Sequence, residues 1–390
     1  MISYEEALEI TEQYQPEKGI ESIALIDSLG RILAQDVISD IDMPPYNKTA
    51  VDGYACRRKD LYKKLIIKEI IPAGRTASGR VEEGTCVKIM TGAAVPDGAD
   101  WVFMVEDATE KDGMVKFNGK PGKDNIAKRG EDIRSGDTVL KAGKVIAPQD
   151  IAVMATVGAV KVAVRERPVI AVISTGDELV EPENKPAVSQ IRNSNAYQLI
   201  AQIMRAGGEA VYYGIAPDDE EKTFIMLTKA IDECDIVLLT GGVSMGDYDK
   251  VPAVMEKAGV RIIFDRIAVQ PGKPTTFGQH DNALIFGLPG NPVSSFIQFE
   301  MFVRPMIMRS MGAETKAGFR KIKLSENYSR KRTRRMAWVP VILNIDEEAV
   351  PLEYHGSAHI NALSDAYGVM KVPIGVSELR KGDKVDVRQI

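Results

Sequence analysis

The sequence predicts an α/β multidomain protein: a mainly parallel, three-layer α/β/α unit joined to a helical segment, an inserted β-rich domain and a C-terminal β-domain. Three observations carry this expectation. The chain has 390 residues, more than one hydrophobic core ordinarily serves. From residue 168 to about 310, strand-like runs that are apolar throughout alternate with helical ones, the pattern of a parallel sheet covered on both faces. Two other stretches, about 46–134 and 315–390, are built of short apolar runs separated by turn residues, which reads as β structure.

Taken in order, apolar spacing near 3.6 runs through residues 3–15, and a second helical segment is expected over about 21–35. The turn-rich MPPYNKTAVDGYA opens the β-rich domain, followed by the runs LIIKEII, CVKIMT, WVFMV and MVKF. The segment GDTVLKAGKVIAPQDIAVMATVG returns towards helix, so residues 1–45 plus 135–165 are assigned to one helical or linker domain around a β insertion at 46–134. An RERP junction at 165–168 then opens the α/β unit, 166–311. Within it VIAVIS, EAVYYGIA, DIVLLT and NALIFGL read as strands. Helices are expected over about 194–206, 219–233, 250–258 and 292–311.

Composition narrows the function. With 44% hydrophobic and 27% charged residues the balance is that of an ordinary soluble protein. A net charge of −5 leaves no footprint of a general nucleic-acid or membrane binder. No apolar run approaches the roughly 20 residues of a membrane span, and the acidic MISYEEALEITEQY does not read as a signal peptide. Three scattered cysteines suggest a reducing, cytoplasmic setting without a disulfide framework. The three histidines lack metal-ligand spacing, His355 and His359 included.

Chemistry is expected at three strand-end loops of the α/β unit. VIAVIS runs into TGDELVEP, with Thr175, Gly176, Asp177 and Glu178; DIVLLT runs into GGVSMGDYDK, with Gly241, Gly242, Ser244, Asp247 and Asp249; NALIFG runs into LPGNPVSSF, with Pro289, Gly290, Asn291, Pro292 and Ser294. Ligands of open α/β sheets bind at the carboxyl ends of the strands. Glycines admit a close ligand, and turn amides and helix N-termini favour anions. One such loop is a tight turn and no more; three at one sheet edge, carrying Asp, Glu and Ser, point to a site. Neither GxxxxGK[ST] nor GxGxxG is present, so no P-loop or dinucleotide fingerprint applies. Carboxylates beside an anion-cradling backbone, with Lys273 in QPGKP, suit a nucleotide or other phosphorylated ligand with Mg²⁺. In the β-rich stretch Asp52, Thr91, Arg129, Glu131 and Asp132 each read as capped turns when taken singly.

The strings MPPYNKTAVDGYA, MTGAAVPDGAD, KRGEDI, STGDEL, TGGVSMGDYD, PGKP and GLPGNPVSS occur here in the order found in molybdopterin molybdenumtransferases, the family that includes the E-domain of gephyrin. The chain resembles that family from residue 1 to about 311, and more loosely beyond. TGGVSMG alone also fits the wider molybdopterin-binding fold. The resemblance implies that the α/β unit is a molybdopterin-binding domain and the C-terminal domain β-barrel-like. It also implies a homodimer whose active cleft lies between the α/β unit of one subunit and the β-rich domain of the other. Asp52, Thr91 and Asp132 would then complete the site from the partner chain. Glu178, Asp218 and Asp249 would be the acidic residues of the α/β unit, with Glu178 and Asp249 on Mg²⁺. Asp249 is preferred to Asp247 because it aligns with the Asp of the family's pattern.

By the same resemblance Thr175, Gly176, Gly241, Gly242, Ser244, Arg266, Lys273, Pro289, Gly290, Asn291, Pro292 and Ser294 would hold pterin, phosphates and the incoming oxyanion, joined by Arg335 and Ser357. The implied reaction takes adenylylated molybdopterin and molybdate (or tungstate), needs Mg²⁺ and releases AMP with the finished cofactor; a molybdopterin adenylyltransferase would be the upstream partner. Many members carry lysine where this chain has Gln270. The basic run Arg330–Arg335 reads as a solvated hairpin beside an anion site, not as a nucleic-acid patch. Two alternatives stand beside this reading. A molybdopterin adenylyltransferase would not need the NKTAVDGYA domain, and a non-catalytic gephyrin-like scaffold would not need to keep Asp52, Glu178, Asp218 and Asp249.

Overall fold

The computed structural model describes residues 1–242, 251–313, 318–352, 356 and 358–390. Helix α1 (Tyr4–Glu12) is capped by Ser3, whose hydroxyl accepts from the Glu6 N–H. Its buried face, Tyr4 and Ala7, joins the large core of the α/β unit: the Tyr4 ring lies 5.6 Å from Phe302 and 5.1 Å from Trp338. The expected second helix over 21–35 does not form. That stretch makes strand β1 (Ile20–Ala24), a 3-10 turn (Leu25–Ser28) and single bridges at Ile32 and Leu33.

The β-rich stretch forms one six-stranded sheet from β2 (Gly53–Cys56), β3 (Leu65–Ile71), β4 (Thr85–Ile89), β5 (Trp101–Met104), β6 (Ala108–Lys111) and β7 (Met114–Phe117), in the order β5-β2-β4-β3-β7-β6. Only the β3–β4 pair is parallel. After it come helix α2 (Pro148–Thr156), with Pro at its first turn, and β8 (Lys161–Arg165), which pairs antiparallel with β1. The chain thus leaves for the insertion and returns to the ribbon it left.

The α/β unit contains β9 (Val169–Thr175), α3 (Ser194–Ala206), β10 (Glu209–Ala216), α4 (Glu220–Glu233), β11 (Ile236–Thr240), α5 (Val251–Lys257), β12 (Arg261–Phe264), β13 (Thr276–Gln279), β14 (Leu284–Leu288) and α6 (Pro292–Gln298). The sheet order is β10-β9-β11-β14-β13-β12; the first four strands run parallel, and β13 and β12 are antiparallel edges. Ile170, Val172 and Leu238 face α3 and the helix that starts at Pro292, while Ala171, Ile173 and Leu239 face α4 and α5. Both faces are therefore buried, which is why these strands are apolar throughout; each aliphatic side chain buried adds roughly 1.5–3 kcal/mol. The helix beginning at Pro292 widens to a π-turn at Phe299–Val303 and continues through Arg304–Ser310.

The C-terminal domain contributes β15 (Phe319–Lys323), β16 (Met336–Leu343), β17 (Gly368–Val372) and β18 (Lys384–Gln389) to one sheet. The short strand Val269–Gln270 of the α/β unit joins it, pairing parallel with Met336 and Ala337. Trp338 and Val369 pack into the core of the α/β unit, so that core continues into this domain. No helix among the described residues is long and apolar enough to cross a membrane.

Candidate functional site

The four parallel strands end side by side, and their following turns are made of glycine where the backbones crowd. β9 ends at Thr175 and turns at Gly176, φ 140°. A Cβ there would lie 2.3 Å from Glu178 Oε2, so only glycine lets that carboxylate fold back over the strand end. β11 ends at Thr240 and passes into Gly241, φ 102°, where a Cβ would meet the Thr175 carbonyl oxygen at 2.5 Å. β14 runs into Pro289-Gly290-Asn291, and Pro292 starts α6 with the fixed φ that suits a first helical turn.

Together these ends enclose a cavity of about 720 Å³. Thr175, Gly176, Glu178, Asp218, Gly241, Gly242, Pro289, Gly290, Asn291 and Pro292 all line it. Asp218 enters from the end of β10, its backbone N–H donating to Asp177 Oδ1 at 3.1 Å. The Thr175 hydroxyl is buried at this floor without a hydrogen-bond partner among the described residues. The wall thus combines two carboxylates, one guanidinium (Arg192) and glycine turns that admit a close ligand, a lining suited to a phosphorylated ligand with a cation.

Three asparagine and serine positions were not expected. Asn193, Ser194 and Asn195 line the cavity at the start of α3. Asn195 Nδ2 donates to Thr240 Oγ1 at 2.9 Å and to the Gly290 carbonyl at 2.8 Å, tying two strand-end loops together. Since the carbonyl can only accept, the amide orientation is fixed. Asn193 caps α3 by accepting from the Ala196 N–H, accepts from Ser174 Oγ at 2.9 Å and donates to Tyr212 Oη at 2.8 Å. Tyr212 in turn donates to Glu181 at 2.6 Å. A polar pair just before an apolar helix signals a cap in sequence; the links to residues 240 and 290 do not show there.

Other expected residues stand elsewhere. Lys273 is exposed and off this wall, although its neighbour Pro274 belongs to it. Arg266 pairs with Asp265 at 3.1 Å, and Arg335 Nη1 donates to the Val269 carbonyl at 3.2 Å. Ser294 is buried inside α6. Ser244, Asp249 and Ser357 lie outside the described residues.

In the β-rich domain Asp52 and Thr91 meet: Asp52 Oδ1 accepts from the Thr91 N–H at 2.6 Å and from its hydroxyl at 2.7 Å. These two donors, the backbone one foremost, hold the Asp52 carboxyl below the usual carboxylate range. Gly53 follows because a Cβ there would lie 2.3 Å from the Phe103 carbonyl oxygen. Asp132 is exposed, its N–H donating to the Met43 carbonyl at 3.0 Å. Beside it Asp42 pairs with Arg129 at 2.7 Å. No hydrogen bond or ion pair among the described residues links Asp52, Thr91 or Asp132 to the α/β cavity of the same chain.

Comparison with known proteins covers nearly the whole chain. Residues 2–158 match the model described as MoeA N-terminal region (domain I and II), residues 171–309 the probable molybdopterin binding domain, and residues 321–390 the MoeA C-terminal region (domain IV). The chain is 35% identical to a molybdopterin molybdenumtransferase of Staphylococcus epidermidis, over 99% of this chain and 95% of that one. It is 33% identical to that of Bacillus subtilis, over 99% and 93%. A crystal structure of a molybdopterin biosynthesis MoeA protein from Pyrococcus horikoshii OT3 superposes with a TM-score of 0.86 at 29% identity, covering all of both chains.

Proposed function

This chain belongs to the molybdopterin molybdenumtransferase family, enzymes of molybdenum-cofactor biosynthesis, and from that premise we propose that it takes adenylylated molybdopterin and molybdate, requires Mg²⁺ and releases AMP with the finished cofactor. The observation that carries the reading is the cavity where glycine turns, the α6 N-terminus and two carboxylates converge at the strand ends.

Mg²⁺ prefers oxygen ligands and keeps waters and substrate phosphates in its shell, so one or two protein carboxylates suffice. Glu178, folded back over Gly176, faces the cavity that Asp218 also lines, and this donor set fits the ion. We assign it to Glu178 and to Asp249, the latter outside the described residues. When bound, it would neutralise charge on the phosphoanhydride and the departing AMP.

The chain's own residues supply position and field. The glycine turns at 176, 241–242 and 290 line the cavity and let an anionic ligand approach the strand ends closely, and Asn195 keeps two of those turns in register. Asp52, already ionised and aimed by Thr91, acts in our reading on the cavity of a partner subunit in a homodimer. The buried thiols Cys56, Cys86 and Cys234 support a reducing, cytoplasmic setting.

The test is AMP release from purified adenylylated molybdopterin with Mg²⁺, with and without molybdate, while cofactor formation is followed. Release that depends on molybdate and yields active cofactor is the expected result. In Asp249→Ala, release should fall to background while pterin binding persists; undiminished turnover would remove Asp249 from the metal. Tight pterin binding without any turnover in the parent would replace the transferase reading with a scaffold.

A further inference from the structure

Residues 178–192, between β9 and α3, form a strap whose two ends line the cavity: Glu178 and Leu179 at one end, Ile191 and Arg192 at the other. The ends are stitched by the parallel pairing of Leu179 with Ile191 and Val180 with Arg192. The Ile191 N–H donates to the Glu178 carbonyl at 2.8 Å, and the Asn193 N–H to that of Val180 at 2.8 Å. Two residues a side make a pairing too short to hold its own shape in water. Glu178 itself is exposed, and no hydrogen bond among the described residues fixes its carboxylate. Its direction is therefore set by Gly176 and by whatever anchors the strap.

The anchor is Glu181. Its Oε1 accepts from Tyr212 Oη at 2.6 Å and its Oε2 from Tyr197 Oη at 3.2 Å. Both oxygens of one carboxylate are thus held by phenols, and no lysine or arginine pairs with it among the described residues. Tyr212 stands on β10 opposite Val172 of β9, its ring against the core of the α/β unit, and Tyr197 stands on α3. Tyr212 Oη also accepts from Asn193 Nδ2 at 2.8 Å, and Asn193 Oδ1 accepts from Ser174 Oγ at 2.9 Å. A line of hydrogen bonds therefore runs from the strap to the end of β9. Burial, then the bond to Glu181, pushes the Tyr212 hydroxyl up from its ordinary pKa, so it stays a donor at neutral pH.

The sheet aims this tyrosine. A bulge in β10 sets Tyr212 opposite Val172 and Gly214 opposite Ile173, leaving Tyr213 between them. Tyr212 packs on the core face that α3 covers; Tyr213 packs on the other face and donates to Glu233 of α4. Neither Tyr212 nor Glu181 lines the cavity, so neither touches a ligand there. We infer that the Tyr212–Glu181 pair is a latch on the strap, and that both are positioning residues that hold Glu178 at the cavity. The latch stands on its own contacts; only the metal role of Glu178 rests on the function proposed above.

Hydrogen–deuterium exchange of the full-length protein, read on peptides spanning 179–192, tests the latch without turnover; the Mg²⁺ dependence of AMP release tests its consequence. In Tyr212→Phe, which keeps the ring and removes the donor, exchange across the strap should quicken about tenfold, the scale of one charge-assisted hydrogen bond. The Mg²⁺ concentration for half-maximal AMP release should rise by a similar factor, with KM for adenylylated molybdopterin unchanged. Glu181→Ala should match it, and Glu181→Gln, which keeps an acceptor oxygen, should recover most of the loss. Tyr213→Phe removes the same atom from the other face of the sheet and should behave as the parent. Unchanged exchange in Tyr212→Phe, the same change in Tyr213→Phe, or faster exchange throughout the α/β unit would overturn the latch. Faster strap exchange in an active enzyme whose Mg²⁺ requirement is unmoved would overturn its positioning of Glu178. If the parent releases no AMP, the proposed function falls, and the exchange pattern alone decides for or against the latch.

Discussion

The cavity of the α/β unit and the acidic cluster of the β-rich domain were both marked by motifs, yet they differ in how complete they are. In the cavity ten expected residues from four separate loops converge within one chain, because parallel strands ending at one edge bring their turns together. The β-rich cluster is a single pre-aimed carboxylate, Asp52 on Thr91, exposed just before β2. It has the electrostatics of a site without the enclosure of one. A carboxylate held ionised by two aligned donors, with no basic partner among the described residues, is the feature expected of a surface that finishes another surface.

The largest effect separates the two regions directly. Glu178→Gln keeps the shape of the cavity and removes one charge from it, so AMP release should fall on the order of 10²–10³-fold with pterin binding retained. Loss of binding together with turnover would make Glu178 a folding residue of the Gly176 turn instead. Next comes Asp52→Asn, which removes the β-rich carboxylate and should cost on the order of 10–10²-fold. Mixing the two inactive proteins sharpens the comparison. If each site takes Glu178 from one chain and Asp52 from the other, an equimolar exchange should restore roughly a quarter of parental activity, since half the pairs then carry one intact site. No recovery after confirmed exchange would put both residues in one chain's site.

A smaller effect is expected at Asn195, which acts through the loops it joins. In Asn195→Ala the Thr240 and Gly290 ends lose their common donor, so kcat should drop about tenfold while KM changes little. A variant with unchanged kcat and a raised KM would instead make Asn195 a plain binding group.

The same contrast explains what was legible in the chain. VIAVIS, DIVLLT and NALIFGL could be read as buried strands because they are short, apolar throughout and bounded by turn residues, as a sheet covered on both faces requires, and the loops after them carry the glycines that the crowded strand ends need. The 21–35 stretch was misread because Ile23, Ile26 and Leu29 recur at helical spacing. Its strand depends instead on β8, some 140 residues later, and its accessible and half-buried side chains alternate with period two. Asn195 escaped notice because its partners are 45 and 95 residues away. The PGKP motif implies Lys273 at the cavity, whereas its neighbour Pro274 is the residue of that motif on the wall and Lys273 is exposed.

The last prediction concerns stability, and separates the β-rich domain's framework from its functional surface. Asp60, 1% exposed, pairs with Arg57 at 2.6 Å and Lys63 at 2.8 Å and accepts weakly from the Gly84 N–H. The Arg57 hydrogen bond, followed by that of Lys63, draws its pKa down to about 2 from an ordinary 3.8. A depressed folded-state pKa means that folding favours the ionised form. The contribution is therefore fully present above the unfolded value and is lost as pH falls from about 4 through about 2. Asp60→Asn should lower stability at neutral pH by on the order of 1–3 kcal/mol, the scale of charge-assisted hydrogen bonds lost within a folded framework. Its melting curve should converge on the parent's as pH drops through that window. A deficit that stays constant down to about pH 2 would assign the loss to packing around β3 and β4 and not to the ion pairs. Because Asp60 lies away from the Asp52–Thr91 pair, turnover at neutral pH should change far less than in Asp52→Asn. A matching loss of activity would mean that the functional surface of this domain depends on its framework more tightly than the hydrogen-bonding pattern implies.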